Sequence, residues 1–222
     1  MTMVTSLLRR LGLSRSRAYQ DIVPSYREYK DLQTGHFCSY ESEVPKWEEG
    51  QRRFIDLHFG RLPRDSAILD IACGDGVGLR AFRAAGFTNV TGLEFNTLKA
   101  ERARQSGYPV LCQDMHDLSG IATGGFDVVY SSHTIEHAYY PKRMIRELAR
   151  VLRPGGRMFV VLPYPDPTTV NDQAHGAKYE LGTNLDDDSR TVVAYFERCG
   201  LRTLAKTYDQ FREPEIWLTF TR

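Results

Sequence analysis

The sequence predicts an α/β domain: a seven-stranded, mostly parallel sheet with helices on both faces, an antiparallel final strand and a helical N-terminal cap. Three observations carry this. From Ala67 onward, short apolar runs alternate with helix-length amphipathic segments, and parallel strands need such intervening crossovers. One buried strand, Ile68-Leu-Asp-Ile71, runs straight into the glycine-rich turn Ala72-Cys-Gly-Asp-Gly76 and then a helix. Two strand-like stretches, about 202–209 and 215–221, follow each other at the end and read as an antiparallel hairpin on one edge.

The elements follow in order. The first 60 residues read as helical and aromatic, with Tyr19, Tyr26, Tyr29, Phe37, Tyr40 and Trp47. Trp47, Phe54, Ile55, His58, Phe59 and Leu62 recur at helical spacing as one buried stripe, and Gly60 and Pro63 end it. Residues 1–62 are thus expected to cap residues 63–222 within one compact unit. The helix after the glycine-rich turn ends at Gly86, and Val90 to Leu93 forms the second strand. Asn96 caps a helix that stops by Gly107, and Val110 to Cys112 is a short third strand. Phe126 to Tyr130 is the fourth. Pro141 opens a helix with Met144, Ile145, Leu148, Val151 and Leu152 on one face. Arg153-Pro-Gly-Gly156 turns into a fifth strand, Met158 to Leu162. A loop-like stretch runs from Pro163 to Leu185, and Asp187 or Asp188 caps a helix through Cys199.

Composition narrows the function. The chain has 222 residues, 41% hydrophobic and 26% charged, with a net charge of +1. That balance offers no broad positive surface for a polyanion, so no nucleic-acid partner is expected. The one uneven region is residues 1–20, where Arg9, Arg10, Arg15 and Arg17 stand without an acid. This segment is expected to pack on its own domain or to form a homodimer contact. No apolar run is long enough to span a membrane, and no secretory leader pattern opens the chain. The four cysteines show no zinc-site spacing, and no metal is expected. Cys112 and Cys199 read as small core residues, and a cytoplasmic setting fits.

The chemistry lies at strand ends. Gly74 and Gly76 let the backbone turn tightly and approach a ligand, at the sheet edge where α/β folds bind ligands. A dinucleotide fingerprint needs a third glycine where this chain has Leu79. Asp70 at the end of the first strand is also ill-suited to cradle a pyrophosphate. It suits a ligand with a cationic end and no phosphate. Glu94 closes the second strand, 20 residues after Gly74, where a carboxylate can accept bonds from two ribose hydroxyls.

Asp70-Ile-Ala-Cys-Gly-Asp-Gly76 resembles the first motif of the class I S-adenosylmethionine-dependent methyltransferases, with Ala72 in place of the commoner glycine. The resemblance runs in register over about residues 66–162. It takes in Gln113-Asp-Met115, the fourth-strand motif Phe126 to His137 with its Ile-Glu-His ending, and Glu147 to Gly156. It implies a Rossmann-like sheet and S-adenosyl-L-methionine as cofactor, with S-adenosyl-L-homocysteine as product. Asp70, Ala72, Gly74, Gly76, Glu94, Phe95, Asn96, Asp114, Met115, Ser131 and His133 would line the cofactor site. Asp114 would take the adenine amino group and the Met115 backbone its ring nitrogen.

Methyl transfer from a sulfonium needs alignment above all, and a base only where the acceptor atom carries a proton. His137 and His175 are the candidate catalytic residues, and Tyr19, Tyr26, Tyr29, Tyr164 and Tyr179 the candidate acceptor contacts. The loop around His175 exceeds 20 residues, a length usually reserved for binding or disorder. A small-molecule acceptor is the default expectation. The competing readings are a macromolecule methyltransferase, a non-catalytic cofactor-binding protein and a nicotinamide-dependent oxidoreductase.

Overall fold

A computed structural model describes residues 18–36, 44–167 and 172–222. Tyr40, Phe37, Cys38 and the four N-terminal arginines lie outside the described residues. In chain order, a 3₁₀ turn at Tyr19–Asp21 is followed by α1 (Tyr26–His36) and α2 (Val44–Phe59). Then come β1 (Ile68–Ile71), α3 (Val77–Ala84), β2 (Val90–Glu94), α4 (Thr97–Arg104), β3 (Val110–Cys112) and β4 (Phe126–Ser132). A second 3₁₀ turn (Ile135–His137) leads to α5 (Pro141–Val151), β5 (Leu152–Pro163), α6 (Lys178–Leu181), α7 (Arg190–Glu197), β6 (Arg202–Asp209) and β7 (Glu215–Thr221). The strands form one sheet in the order β3-β2-β1-β4-β5-β7-β6. β1 to β5 pair in parallel, and β7 lies antiparallel between β5 and β6.

Both faces of the sheet are covered, and strand alternation sorts the core into two layers. Leu69, Ile71, Val129, Met158, Val160 and Leu162 face α5 and α7. Ile68, Val90, Val128, Tyr130, Phe159 and Val161 face α2, α3 and α4. Phe59 of α2 meets Phe82 of α3 edge-on at 5.0 Å, while Phe196 of α7 stacks on Phe220 of β7 at 4.7 Å. Of the predicted α2 stripe, Phe54, Ile55 and Phe59 are buried, and Trp47, His58 and Leu62 are half-buried. The N-terminal segments divide between the two layers: Tyr19, Val23 and Tyr29 join the α5 side, and α2 joins the other.

Three expectations need correcting. Cys112 is exposed, because β3 is an edge strand whose outer residues nothing covers. β5 begins at Leu152 and not Met158: Phe126 pairs with Leu152 and Val128 with Arg157, so the Arg153–Gly156 turn is a bulge within the strand. The helix expected to run through Cys199 spans only Arg190–Glu197. Its N-cap position is Ser189, although Asp187 still accepts from the Thr191 amide at 3.1 Å.

The glycine-rich turn connects fold to site. Gly76 sits at φ 81 as the N-cap of α3, and a Cβ there would lie 2.9 Å from the Ala103 Cα of α4. Gly74 also has positive φ, 54°, but open space where its Cβ would be. Gly76→Ala should therefore destabilise the protein by more than the roughly 1–2 kcal/mol that a left-handed L-residue costs, since it adds a backbone clash. Gly74→Ala should show only the left-handed penalty in the same thermal melts.

Candidate active site

The carboxyl ends of β1, β2, β4 and β5 open on a cleft of about 540 Å³, within the range typical of ligand sites. Two non-glycine residues at its rim hold left-handed backbone, Ala72 after β1 at φ 52 and His133 after β4 at φ 48. Such conformations cost free energy and cluster at functional sites. Thr134 joins the two strand ends, its Oγ1 donating to the Ile71 carbonyl at 3.3 Å.

One half of the cleft is built by the glycine-rich turn and the ends of β2 and β3. Glu94 is 4% exposed, and its two oxygens accept from the Gly74 amide at 3.0 Å and the Asn96 amide at 2.8 Å. Burial raises its pKa, and those amide bonds together with Lys99 partly offset the rise. Asn96 then caps α4, accepting from Leu98 and Lys99. Phe95, Met115, Ala72 and Gly74 line the same half. Asp114 is the most tightly held: Tyr26 donates to its Oδ2 at 2.6 Å, and the His116 amide to its Oδ1 at 3.0 Å. His116 Nε2 accepts from the Tyr139 amide, so its proton sits on Nδ1, 2.9 Å from Asp114 Oδ1. Burial opposes the charge on Asp114, but the bonds from His116 and Tyr26 outweigh it and hold the group below its ordinary range.

Asp70 lies behind this wall and not in it. It sits on the α2/α3 side of β1, where its Oδ2 is 2.6 Å from the Cβ that Gly78 lacks and has no hydrogen-bond partner. Burial, reinforced by the charge of Glu94, pushes its pKa up to about 8.

The other half of the cleft comes from the 3₁₀ turn after β4, the loop after β5 and the β6–β7 hairpin. His137 Nδ1 is 2.8 Å from the Ala174 carbonyl, and His175 Nδ1 is 3.1 Å from Asp166 Oδ2. The two imidazoles meet edge to face at 4.4 Å. Because their partners only accept, both rings carry the proton on Nδ1, and Nε2 is the nitrogen that can take another. Lys178, 1% exposed, lies 3.7 Å from Asp166 and 3.0 Å from Asp172. On the hairpin side, His133 Nε2 is 2.9 Å from Glu215 Oε1, and Trp47 meets its ring at 4.6 Å. Burial alone would lower the His133 pKa, but bonds and charge from Glu136 and Glu215 reverse that and push it up to about 9. His133, Glu213 and Glu215 could together ligate a cation. Arg212 Nη2 already fills that position, 2.9 Å from His133 Nε2, 3.0 Å from Glu215 and bonded to Glu213.

Several expected residues lie elsewhere. Gly76 packs on Ala103, out of the cleft. Strand alternation turns Ser131 inward, fully buried with its hydroxyl unpartnered, and puts Ser132 in the wall instead. Among the five tyrosines only Tyr29 lines the cleft. The Tyr19 hydroxyl bonds the Gln173 and Ala174 carbonyls, and Tyr26 holds Asp114. Tyr164 ties Leu185, Asp187 and Ser189 together, and Tyr179 bonds Asp172. Trp47, Gln51, Asp166 and Arg212 line the cleft without having been singled out as site residues. Asp166 was within reach of sequence reasoning, nine residues before His175 in the same long loop.

A methyltransferase-domain family model matches residues 69–160. The chain is 31% identical over 209 residues to the 27-O-demethylrifamycin SV methyltransferase of Amycolatopsis mediterranei, covering 82% of this chain and 77% of that one. It is 26% identical over 190 residues to a sterol 24-C-methyltransferase of Aspergillus fumigatus, covering 82% of this chain but only 50% of the relative. In fold it resembles the Burkholderia thailandensis 1,6-didemethyltoxoflavin-N1-methyltransferase solved with its acceptor and S-adenosylhomocysteine. The TM-score is 0.63 at 14% identity, over 89% of this chain and 90% of that one. The chain belongs to the class I S-adenosylmethionine-dependent methyltransferases, and S-adenosylmethionine is its cofactor.

The site fits that cofactor. Glu94 keeps lone pairs for ribose hydroxyls beyond those its two amide donors use. Gly74 leaves open space beside it, and the buried acids Asp70 and Glu94 disfavour a phosphate while suiting a ligand with a cationic end. Among the described residues no helix is long and apolar enough to cross a membrane.

Asp70 gives a pH test. Unfolded, its carboxyl ionises near about 4, whereas folded it keeps its proton to about 8. The native state thus binds the extra proton in that window, and the stability of the cofactor-free protein falls as pH rises through it. His133 acts in the same sense at higher pH, its stabilisation being lost as pH rises through about 9. Asp70→Asn removes only the first contribution. Thermal melts at about pH 5 and pH 8 should show the wild type losing more Tm than the variant.

Proposed function

We propose that this methyltransferase acts on a small-molecule acceptor held at the His137 and His175 end of the cleft. The carrying observation is that one chamber joins Gly74, Glu94 and Asp114 to His137, His175 and Asp166. Cofactor and acceptor would therefore meet in a single enclosure, walled on the N-terminal side by Tyr29, Trp47 and Gln51, which gives residues 1–62 the role of a cap. The names of the relatives support the size class, since a rifamycin, sterols and a ubiquinone precursor are all small molecules.

S-adenosylmethionine supplies the methyl group as an electrophile on a positively charged sulfur, and the sulfur keeps the C–S electron pair. The protein's part is to align the acceptor and to receive any proton it sheds. The Nε2 nitrogens of His137 and His175 are the candidate proton acceptors, each ring oriented through Nδ1. Asp166 would stabilise the imidazolium that forms on His175. Glu94, Phe95, Asn96, Asp114 and Met115 would hold the adenosine, and Tyr29 would touch the acceptor.

The test is to incubate the protein with methyl-labelled S-adenosylmethionine and a cell extract, then separate small molecules from precipitable macromolecules. Label in the small-molecule fraction, reduced at least tenfold by His175→Asn without loss of cofactor affinity, is the expected result (a tenfold change is about 1.4 kcal/mol in the barrier). Label confined to protein or nucleic acid would overturn the small-molecule reading.

A further inference from the structure

Glu136 is fully buried in the wall of the cleft, and neither of its carboxylate oxygens has a hydrogen-bond partner. Both of its ion-pair contacts address Oε1: His133 Nδ1 at 3.5 Å and His137 Nε2 at 3.8 Å. His133 is already shared, lying 2.9 Å from Glu215 and 3.5 Å from Glu213. Arg212 contacts both of those acids. Three carboxylates, Glu136, Glu213 and Glu215, therefore face two cations, Arg212 and His133. A buried carboxylate without a matching proton is strongly disfavoured, so one more proton belongs in this cluster.

His137 is the residue that can carry it. Its Nδ1 is committed to the Ala174 carbonyl, which only accepts, so a further proton must go to Nε2, the nitrogen that faces Glu136. His175 is in a different position, because its Nδ1 faces its own carboxylate, Asp166, and Lys178 stands close to that acid. A charged His137 with its ring 4.4 Å away would oppose a second charge on His175 before the reaction. The charged and titratable groups facing the two rings are Glu136 and His133 from the β4 end, Arg212, Glu213 and Glu215 from the hairpin, and Asp166 and Lys178 from the loop after β5.

We infer that Glu136 is a positioning residue that keeps His137 protonated on both nitrogens, leaving His175, backed by Asp166, as the histidine that takes the acceptor's proton. This rests on the proposed transfer to an acceptor whose methylated oxygen or nitrogen carries a proton. As that atom bonds to the methyl carbon and the sulfur departs with the C–S pair, the proton passes to His175 Nε2. His137 then supplies fixed positive charge to the wall. The net charge of the acceptor end selects for neutral hydroxyl or amine acceptors, which enter with their proton.

The test is ¹H–¹⁵N multiple-bond NMR on the full chain labelled in histidine, bound to S-adenosylhomocysteine at neutral pH, with the rings assigned through His137→Asn and His175→Asn. In the wild type both His137 nitrogens should be protonated, while His175 is neutral with its proton on Nδ1. In Glu136→Gln, His137 should lose the Nε2 proton and His175 should not change. A bare nitrogen on His137 in the wild type overturns the inference, and so does an unchanged His137 in the variant. The wild-type spectrum decides even if the variant folds poorly. Macromolecular label in the extract experiment would instead count against the small-molecule reading and leave the histidine states as measured.

Discussion

Buried negative charge at the carboxyl edge of the sheet is the constraint on which the rest of the site depends. Asp70, Glu94 and Glu136 are all withdrawn from water there, and each is relieved differently. Glu94 receives backbone amides from the turn and from the start of α4, which ties the glycine-rich loop to the second strand. Asp70 has no such donor on Oδ2 and is displaced toward its protonated form. Glu136 depends on the histidines beside it. Acids gathered this way turn away phosphates and accept a ligand whose charge is positive.

Backbone geometry adds to that selection. Ala72 and His133 both hold left-handed conformations at adjacent strand ends, where the chain must leave the sheet abruptly. The family's commoner glycine would adopt φ 52 without cost, so this chain retains strain at Ala72 of about 1–2 kcal/mol by the usual measure. Thr134 and the network around Asp114 and Tyr26 over-determine the surroundings, which is how such strain persists. The same network ties α1 to the acid expected to read the adenine, so order in the N-terminal segment and order in the cofactor site are linked.

Much of this was legible in the sequence, for identifiable reasons. Buried strands read as apolar runs and helices as amphipathic ones, so the strand order of elements, the Asn96 cap and the Pro141 start emerged directly. The strand-end residues Glu94 and Asp114 were legible because spacing within one βαβ unit is short-range. What stayed hidden depends on long-range placement. Arg212 and Glu215 reach the cleft only because β7 inserts antiparallel beside β5, pairing Pro163 with Glu215 and bringing the hairpin to the same edge. Nothing local marks that. The tyrosines misled for a related reason: an aromatic ring with a hydroxyl suits a substrate pocket and a packed interface equally, and Tyr19, Tyr164 and Tyr179 serve the latter. Ser131 against Ser132 was a matter of one step in strand alternation.

The most direct test of the account is calorimetric titration of S-adenosylmethionine into the wild-type protein and into Glu94→Ala, with a reduced nicotinamide cofactor as the control ligand. The account predicts saturable binding to the wild type, a loss of at least about tenfold in the variant, and no binding of the nicotinamide. Unchanged affinity in Glu94→Ala, or binding of the nicotinamide cofactor in place of the methyl donor, would contradict it.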